Sequence, residues 1–370
     1  MKVAFFIGSL NHGGTEMLVL DTFRKKDCAD FEPILIYRND GKLSEAYRST
    51  GVPMFRIKPT GFKLGHVLKM RRLLREEGVD VLHSQTMLNA FLGIFYTCFS
   101  RVRLVASFHG MNPSFLGRVF AQLVIWHAEA SVFVSEYVRD WYLNRAFLVP
   151  RKRCYVVYNG IDFEKFDKGY AVPDFLKEND FGEPSIVNMA MVGSFGSGRD
   201  QFFLCHVLKA LKDSGVCNSR FYFIGRQWDD RPELYEKCVS YCKENGLLNA
   251  SVFFVGERSD VPAILQHIDA FVYSTINDTF GIAVVEAAAA GLPVIVNDWA
   301  VMREITNNGE WATLYKSHDL NDCLDRITEY VANKEERKSK AMERSIVVKQ
   351  RFSIENHIQK LYSVYEKTVS

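Results

Sequence analysis

Two carboxylates in the second half of the chain, Asp278 and Glu286, flank a short turn, Thr279-Phe280-Gly281-Ile282, that opens into an alanine-rich helix. Residues 270–274 ahead of the turn and 293–296 behind the helix read as short buried strands. A helix N-terminus presents N–H groups and partial positive charge, which suits an anion. Acids beside that anion would repel phosphates but can bond sugar hydroxyls. The unit therefore reads as a nucleotide-sugar site.

Three further stretches could do chemistry. Gly193-Ser194-Phe195-Gly196 runs through a third glycine, Gly198, to Arg199, after an apolar run at 186–192. Glycines and a guanidinium here would cradle and neutralise a diphosphate, since Arg stays charged and bonds two oxygens at once. The plain alternative is a flexible loop with a surface Arg. Near the start, Gly8 through Gly13 and Gly14 joins a strand to a helix and would bring backbone close to a phosphate or sugar. It lacks the G-x-G-x-x-G of dinucleotide binders. His109, in Ser107-Phe108-His109-Gly110, ends another strand, with His83 and His12 at comparable positions. A lone His is more often structural, so these rank lower.

Elements that would position these residues alternate throughout, as in a parallel α/β sheet. The first half offers strands at 3–7, 33–37, 54–57, 79–83, 103–108, 130–134 and 155–157, with helices at 16–24, 64–77, 88–99 and 115–127. The rhythm restarts with strands at 186–192, 220–224, 252–255, 270–273 and 294–296, and helices at 201–212, 233–245 and 261–267. Residues 169–184 are polar and punctuated by Pro and Gly, which reads as a linker. The expected organisation is a first Rossmann-like domain at 1–168, a second at 185–350, and a helix at 351–370 crossing back to the first. Ligands would then lie in a cleft at the carboxyl ends of the strands.

A chain of 370 residues exceeds one ordinary core. Its net charge of +2 conceals an asymmetry: residues 1–170 carry 24 Lys and Arg against 16 Asp and Glu, and the rest 22 against 28. That excess is too diffuse for nucleic acid. The eight cysteines include no C-x-x-C pair, and Cys238 with Cys242 reads as helix packing. Scattered thiols fit a reducing cytosol. No apolar run reaches the length of a membrane span.

In order along the chain, Gly13-Gly14-Thr-Glu16, Phe108-His109-Gly110, Val134-Ser135, Tyr158-Asn159-Gly160-Ile161-Asp162, the Gly193 loop, Gly256 with Asp260-Val261, and Asp278 to Val294 resemble a retaining glycosyltransferase of GT-B architecture, from the bacterial group-1, family-4-like family. The resemblance spans essentially the whole length. It implies that Gly13 and Gly14 approach the donor phosphate and acceptor, and that His109 lies near the transferred sugar. Gly193, Ser194 and Arg199 would hold the diphosphate. Asp278 and the Thr279-Phe280-Gly281-Ile282 turn would hold the sugar, and Glu286 the ribose. His109, Arg199, Asp278 and Glu286 would carry catalysis. Two positions depart from the pattern: Asp278 stands where the family has Glu, and Ser194 where it has Arg.

What the resemblance implies is a hexosyltransferase moving a sugar, from UDP-sugar by preference, to a lipid-linked or surface glycan such as capsule or O-antigen. No D-x-D motif is present, and Asp229-Asp230 reads as a solvated loop, so no metal or other cofactor is expected. Rival readings are a silent sugar-binding partner subunit and a nucleotide-sugar 2-epimerase on the same fold. An NAD-dependent dehydrogenase leaves the Asp278–Glu286 spacing unexplained. A cytoplasmic protein is expected, working at the inner membrane face, where Lys69, Arg72 and Arg75 on one side of the 64–77 helix would meet anionic lipid. The plain reading of that helix is an ordinary surface element.

Overall fold

The computed structural model describes the chain except for His12 and residues 58–63, 148, 180–181, 184, 197, 217, 229–230 and 370. His12, Cys217 and the Asp229-Asp230 pair thus lie outside the described residues. The chain forms two compact units, Met1–Asp162 with Phe352–Ser370, and Phe163–Arg351.

The first unit is built on seven parallel strands: β1 (Lys2–Phe6), β2 (Glu32–Tyr37), β3 (Met54–Arg56), β4 (Val81–Ser84), β5 (Arg103–Phe108), β6 (Ala130–Phe133) and β7 (Cys154–Val156). Their order is β3-β2-β1-β4-β5-β6-β7. The central strands are apolar on both faces because helices cover both, as parallel sheets require. Helices begin where side chains receive the first free N–H groups: Thr86 accepts from Asn89, Ser114 from Gly117 and Ser135 from Val138. The Ile354–Val369 helix belongs to this unit, its Ile354, Ile358, Leu361 and Tyr365 sharing a core with Val3 and Phe5.

The second unit repeats the plan with β8 (Ile186–Val192), β9 (Asn218–Ile224), β10 (Val252–Gly256), β11 (Ala270–Tyr273), β12 (Val294–Asn297) and β13 (Thr313–Tyr315), ordered β10-β9-β8-β11-β12-β13 and parallel throughout. In both sheets the order reverses beside the first strand, between β1 and β4 and between β8 and β11. Such switch points are where open α/β sheets bind ligands, beyond the carboxyl ends of the strands.

Two sequence expectations need correction. The sequence puts residues 163–168 in the first domain and 169–184 in a linker, whereas the second unit begins at Phe163. Gln266 on the Val261–His267 helix donates to the carbonyls of Phe166 and Lys168 and accepts from the Tyr170 amide, fastening this segment to the second unit. The sequence reading contains no strand at the position of edge strand β13.

Candidate active site

In the second unit, the loops after β8 and β11 are tied together at Gly198. Its carbonyl accepts from the amides of Ile276 and Asn277, at 3.2 and 3.3 Å, and from Thr275 Oγ1 at 2.6 Å. Buried Gln201 donates to the carbonyls of Gly193 and Ser194, fixing the glycine loop from its other side. Gly225 packs so closely that a Cβ there would lie 2.0 Å from the Gly193 carbonyl oxygen. The loop is therefore held by backbone contact and side-chain bonds together.

Arg199 and Asp278 meet across these loops. Arg199 Nη1 lies 3.1 Å from Asp278 Oδ2, and the guanidinium sits 5.4 Å from the Tyr273 ring centroid. Tyr273 Oη donates to the same Oδ2 at 2.9 Å, while the amides of Thr279 and Phe280 donate to Oδ1 at 2.8 and 3.3 Å. A carboxylate has roughly four acceptor positions. Those of Asp278 are all engaged, and the residue is buried. Arg199 Nε, also buried, has no acceptor among the described residues. Burial works against the guanidinium's charge, but Tyr273 and Asp278 together outweigh it and hold Arg199 above its usual pKa. Burial is likewise the largest influence on the Tyr273 phenol, which stays protonated well above its ordinary range despite the opposing Arg199 charge.

The Ile282–Ala289 helix starts at Gly281, whose φ of +88° is left-handed and whose added Cβ would meet Met302 Cε at 2.8 Å. Only glycine satisfies both constraints without strain. No side chain caps this N-terminus. Glu286 lies further along the helix, largely buried, with Oε1 2.7 Å from Lys165 Nζ. Lys165 comes from the segment that Gln266 fastens down.

The first unit carries the other expected residues. Gly13 precedes the Gly14–Arg24 helix, and its carbonyl accepts from the Met17 amide. At the ends of β4 and β5, His109 Nε2 lies 2.9 Å from Gln85 Oε1. Burial, with His357 nearby, lowers the His109 pKa to about 4. His357 itself, bonded to the Tyr158 carbonyl, is lowered to about 4 chiefly by burial. His83 is bound at both ring nitrogens, by Tyr365 Oη at 2.6 Å and Ser107 Oγ at 2.7 Å, and is fully enclosed. It is a core linker, not a ligand group. These residues and Asn159 enclose a space of about 10 Å³, hardly one water.

The structure thus brings Gly193, Ser194, Arg199, Asp278, Thr279, Phe280, Gly281, Ile282 and Glu286 to one end of the second sheet, and Gly13, Gly14 and His109 to the same end of the first. Sequence reasoning missed Lys165, Tyr273, Gln201 and His357. Tyr273 and Gln201 lie inside patterns that read as core, and nothing around Lys165 or His357 marks a site. A roomier hollow of about 640 Å³ lies against Lys2, Glu32 and Pro53, at the opposite ends of the strands.

Two sheets of this topology, each with a glycine-rich loop at its switch point, are the building blocks of the GT-B class of sugar-transfer proteins. Residues 12–165 match Glycosyltransferase Family 4 and residues 183–344 match Glycosyl transferases group 1. The chain belongs to this group-1, family-4-like glycosyltransferase family. It is 25% identical over 315 residues to the putative glycosyltransferase EpsF of Bacillus subtilis, covering 80% of this chain and 79% of that one. It is 21% identical over 340 residues to the UDP-Gal:alpha-D-GlcNAc-diphosphoundecaprenol alpha-1,3-galactosyltransferase of Escherichia coli, covering 87% and 85%. Among solved structures, Anabaena Alr3699/HepE in complex with UDP and glucose superposes with a TM-score of 0.84 at 17% identity, over 98% of both chains.

Proposed function

We propose that this glycosyltransferase takes a UDP-sugar, retains the configuration of the transferred sugar, works without a metal, and builds on a lipid-linked glycan. The observation that carries the reading is the half-buried Arg199 guanidinium, oriented by Asp278 beside the glycine loop. The UDP and glucose complex of Alr3699/HepE and the diphosphoundecaprenol acceptor named for the E. coli relative support the donor and acceptor classes.

In transfer, the bond from the sugar's C1 to the β-phosphate oxygen breaks as C1 bonds to the acceptor oxygen on the same face. The acceptor's hydroxyl proton passes to a donor phosphate oxygen, and UDP leaves. Negative charge grows on the departing diphosphate, and stabilising such developing charge is typically the largest catalytic contribution. Arg199 supplies a fixed cation for it, aided by the N-terminus of the Gln201–Ser214 helix. Asp278, saturated by protein bonds, acts as a positioning residue for Arg199 and does not hold the sugar. Glu286 takes the ribose hydroxyls, with Lys165 fixing its carboxylate. Among the described residues, no group of three or more His, Cys, Asp or Glu side chains is placed to share a metal ion.

The test is a panel of UDP-, GDP- and ADP-sugars with a polyprenyl-diphosphate-sugar acceptor, in excess EDTA, with the product's anomeric configuration read by NMR. The reading expects transfer from a UDP-sugar with retention. Dependence on added Mg²⁺ or Mn²⁺, or inversion, would contradict it. Donor binding without transfer or hydrolysis would favour a silent partner subunit, and epimerised donor alone would favour a 2-epimerase.

A further inference from the structure

The Phe115–His127 helix is apolar on both sides. Gly117, Ala121, Val124 and Ile125 are buried against the first unit. Phe115, Leu116, Val119, Leu123 and Trp126 are exposed, Phe115 by 72% and Leu116 by 64%. At 100° per residue these five fall within one stripe of about 100°, where a surface helix ordinarily places polar residues. Gln122, beside the stripe, bonds both the amide and the carbonyl of Phe147 at 2.8 Å, which holds that residue, 74% exposed, against the helix. Contiguous apolar surface of this kind marks an interaction site.

Charge identifies what covers it. No Asp or Glu occurs between Asp80 and Glu129, nor between Asp140 and Asp162. Within those spans lie Arg101, Arg103, Arg118, Arg145, Arg151, Lys152 and Arg153, of which Arg103 and Arg153 pair with Glu129. Beyond the intervening Met87–Thr97 helix, the Leu64–Glu76 helix carries exposed Leu64 and Leu68 beside exposed Lys69, Arg75 and Arg72, the last paired with Glu76. An apolar stripe with a tryptophan, on a helix that carries Arg118 and no acid, matches the boundary between acyl chains and anionic headgroups. Thirteen residues of helix span about 20 Å, and no described helix is long and apolar enough to cross a membrane. The helix would therefore lie in the plane of the surface.

We infer that the exposed face of the Phe115–His127 helix, with Phe147, seats this unit on an anionic phospholipid bilayer. The helix starts six residues after His109, so the seat lies next to the loop that would meet a lipid-linked acceptor. This places the principal contact on Phe115–His127, and the basic Leu64–Glu76 helix is a secondary one, beyond the Met87–Thr97 helix. The link to an acceptor rests on the function proposed above. The contact itself does not.

Full-length protein should co-sediment with phosphatidylcholine vesicles containing phosphatidylglycerol, and at least tenfold less with phosphatidylcholine alone. Tryptophan emission should shift to the blue on adding anionic vesicles, and that shift should vanish in Trp126→Phe. The double variant Val119→Glu, Leu123→Glu should lose vesicle binding while its melting temperature and its stabilisation by UDP match the parent. Replacing Lys69, Arg72 and Arg75 by Gln should weaken binding and lower its salt sensitivity without abolishing it. The inference is overturned if the double variant still binds, or if the parent is a dimer that this variant dissociates. Failure of UDP to stabilise the parent would count against the proposed function alone.

Discussion

Arg199 and Asp278 are bonded side chain to side chain, Nη1 to Oδ2 at 3.1 Å, across two loops that leave neighbouring strands of one sheet. The carboxylate also takes the Tyr273 hydroxyl and two backbone amides. A cation held this way is oriented before any ligand arrives, so less order remains to be imposed when a diphosphate binds. The Asp found here in place of the family's Glu makes these short, local bonds.

Asp278→Asn should therefore weaken UDP and UDP-sugar by a similar factor. Breaking one side of a buried, bonded charge pair costs about 2–5 kcal/mol, part of which appears as lost affinity. Titration calorimetry with both ligands checks this. A selective loss for UDP-sugar, with UDP unaffected, would return Asp278 to direct sugar contact. Asp278→Glu should also impair binding, because the longer acid displaces the Tyr273 and amide bonds.

Glu286→Gln should leave the melting temperature nearly unchanged and cut the preference for UDP over 2′,3′-dideoxy-UDP. Hydrogen bonds to a charged group contribute about 1.5–3 kcal/mol, roughly 10- to 150-fold in affinity. Lys165→Met should give a smaller loss in the same direction. Equal preference in parent and Glu286→Gln would remove Glu286 from the ribose.

The histidines of the first unit set a pH dependence of stability. His109 and His357 are each depressed to about 4 from an ordinary 6.5, and His83 is well below its ordinary value. Unfolded histidines take up protons before folded ones do. Stability from this cluster is thus complete above about pH 6.5 and is lost as pH falls toward 4. The urea midpoint should fall over that window, and less steeply in His109→Asn. A flat profile from pH 7 to 4.5 would contradict the buried neutral arrangement.

Much of this architecture was legible in the sequence because parallel strands buried on both faces stand out as short apolar runs, and glycines mark the loops after β1 and β8. Other features were hidden for physical reasons. By composition residues 163–168 continue the first domain and 169–184 form a linker; long-range contacts, the Gln266 bonds, the Lys165–Glu286 pair and buried Phe163 and Phe166, make residues 163–170 part of the second unit. The Phe115–His127 pattern signals an apolar helix but not that one of its faces is exposed. The Arg199–Asp278 pair joins loops far apart in the chain, which no local period can reveal. The pattern at Asp278 suggests a sugar contact but does not reveal its protein partners, Arg199, Tyr273 and two amides.

The most direct test compares UDP with uridine on the parent and Arg199→Ala by titration calorimetry. If Arg199 clamps the diphosphate, its removal should weaken UDP by about 2–4 kcal/mol, roughly 30- to 1000-fold, and leave uridine nearly unchanged. Equal losses for the two ligands, or no loss for UDP, would contradict the account.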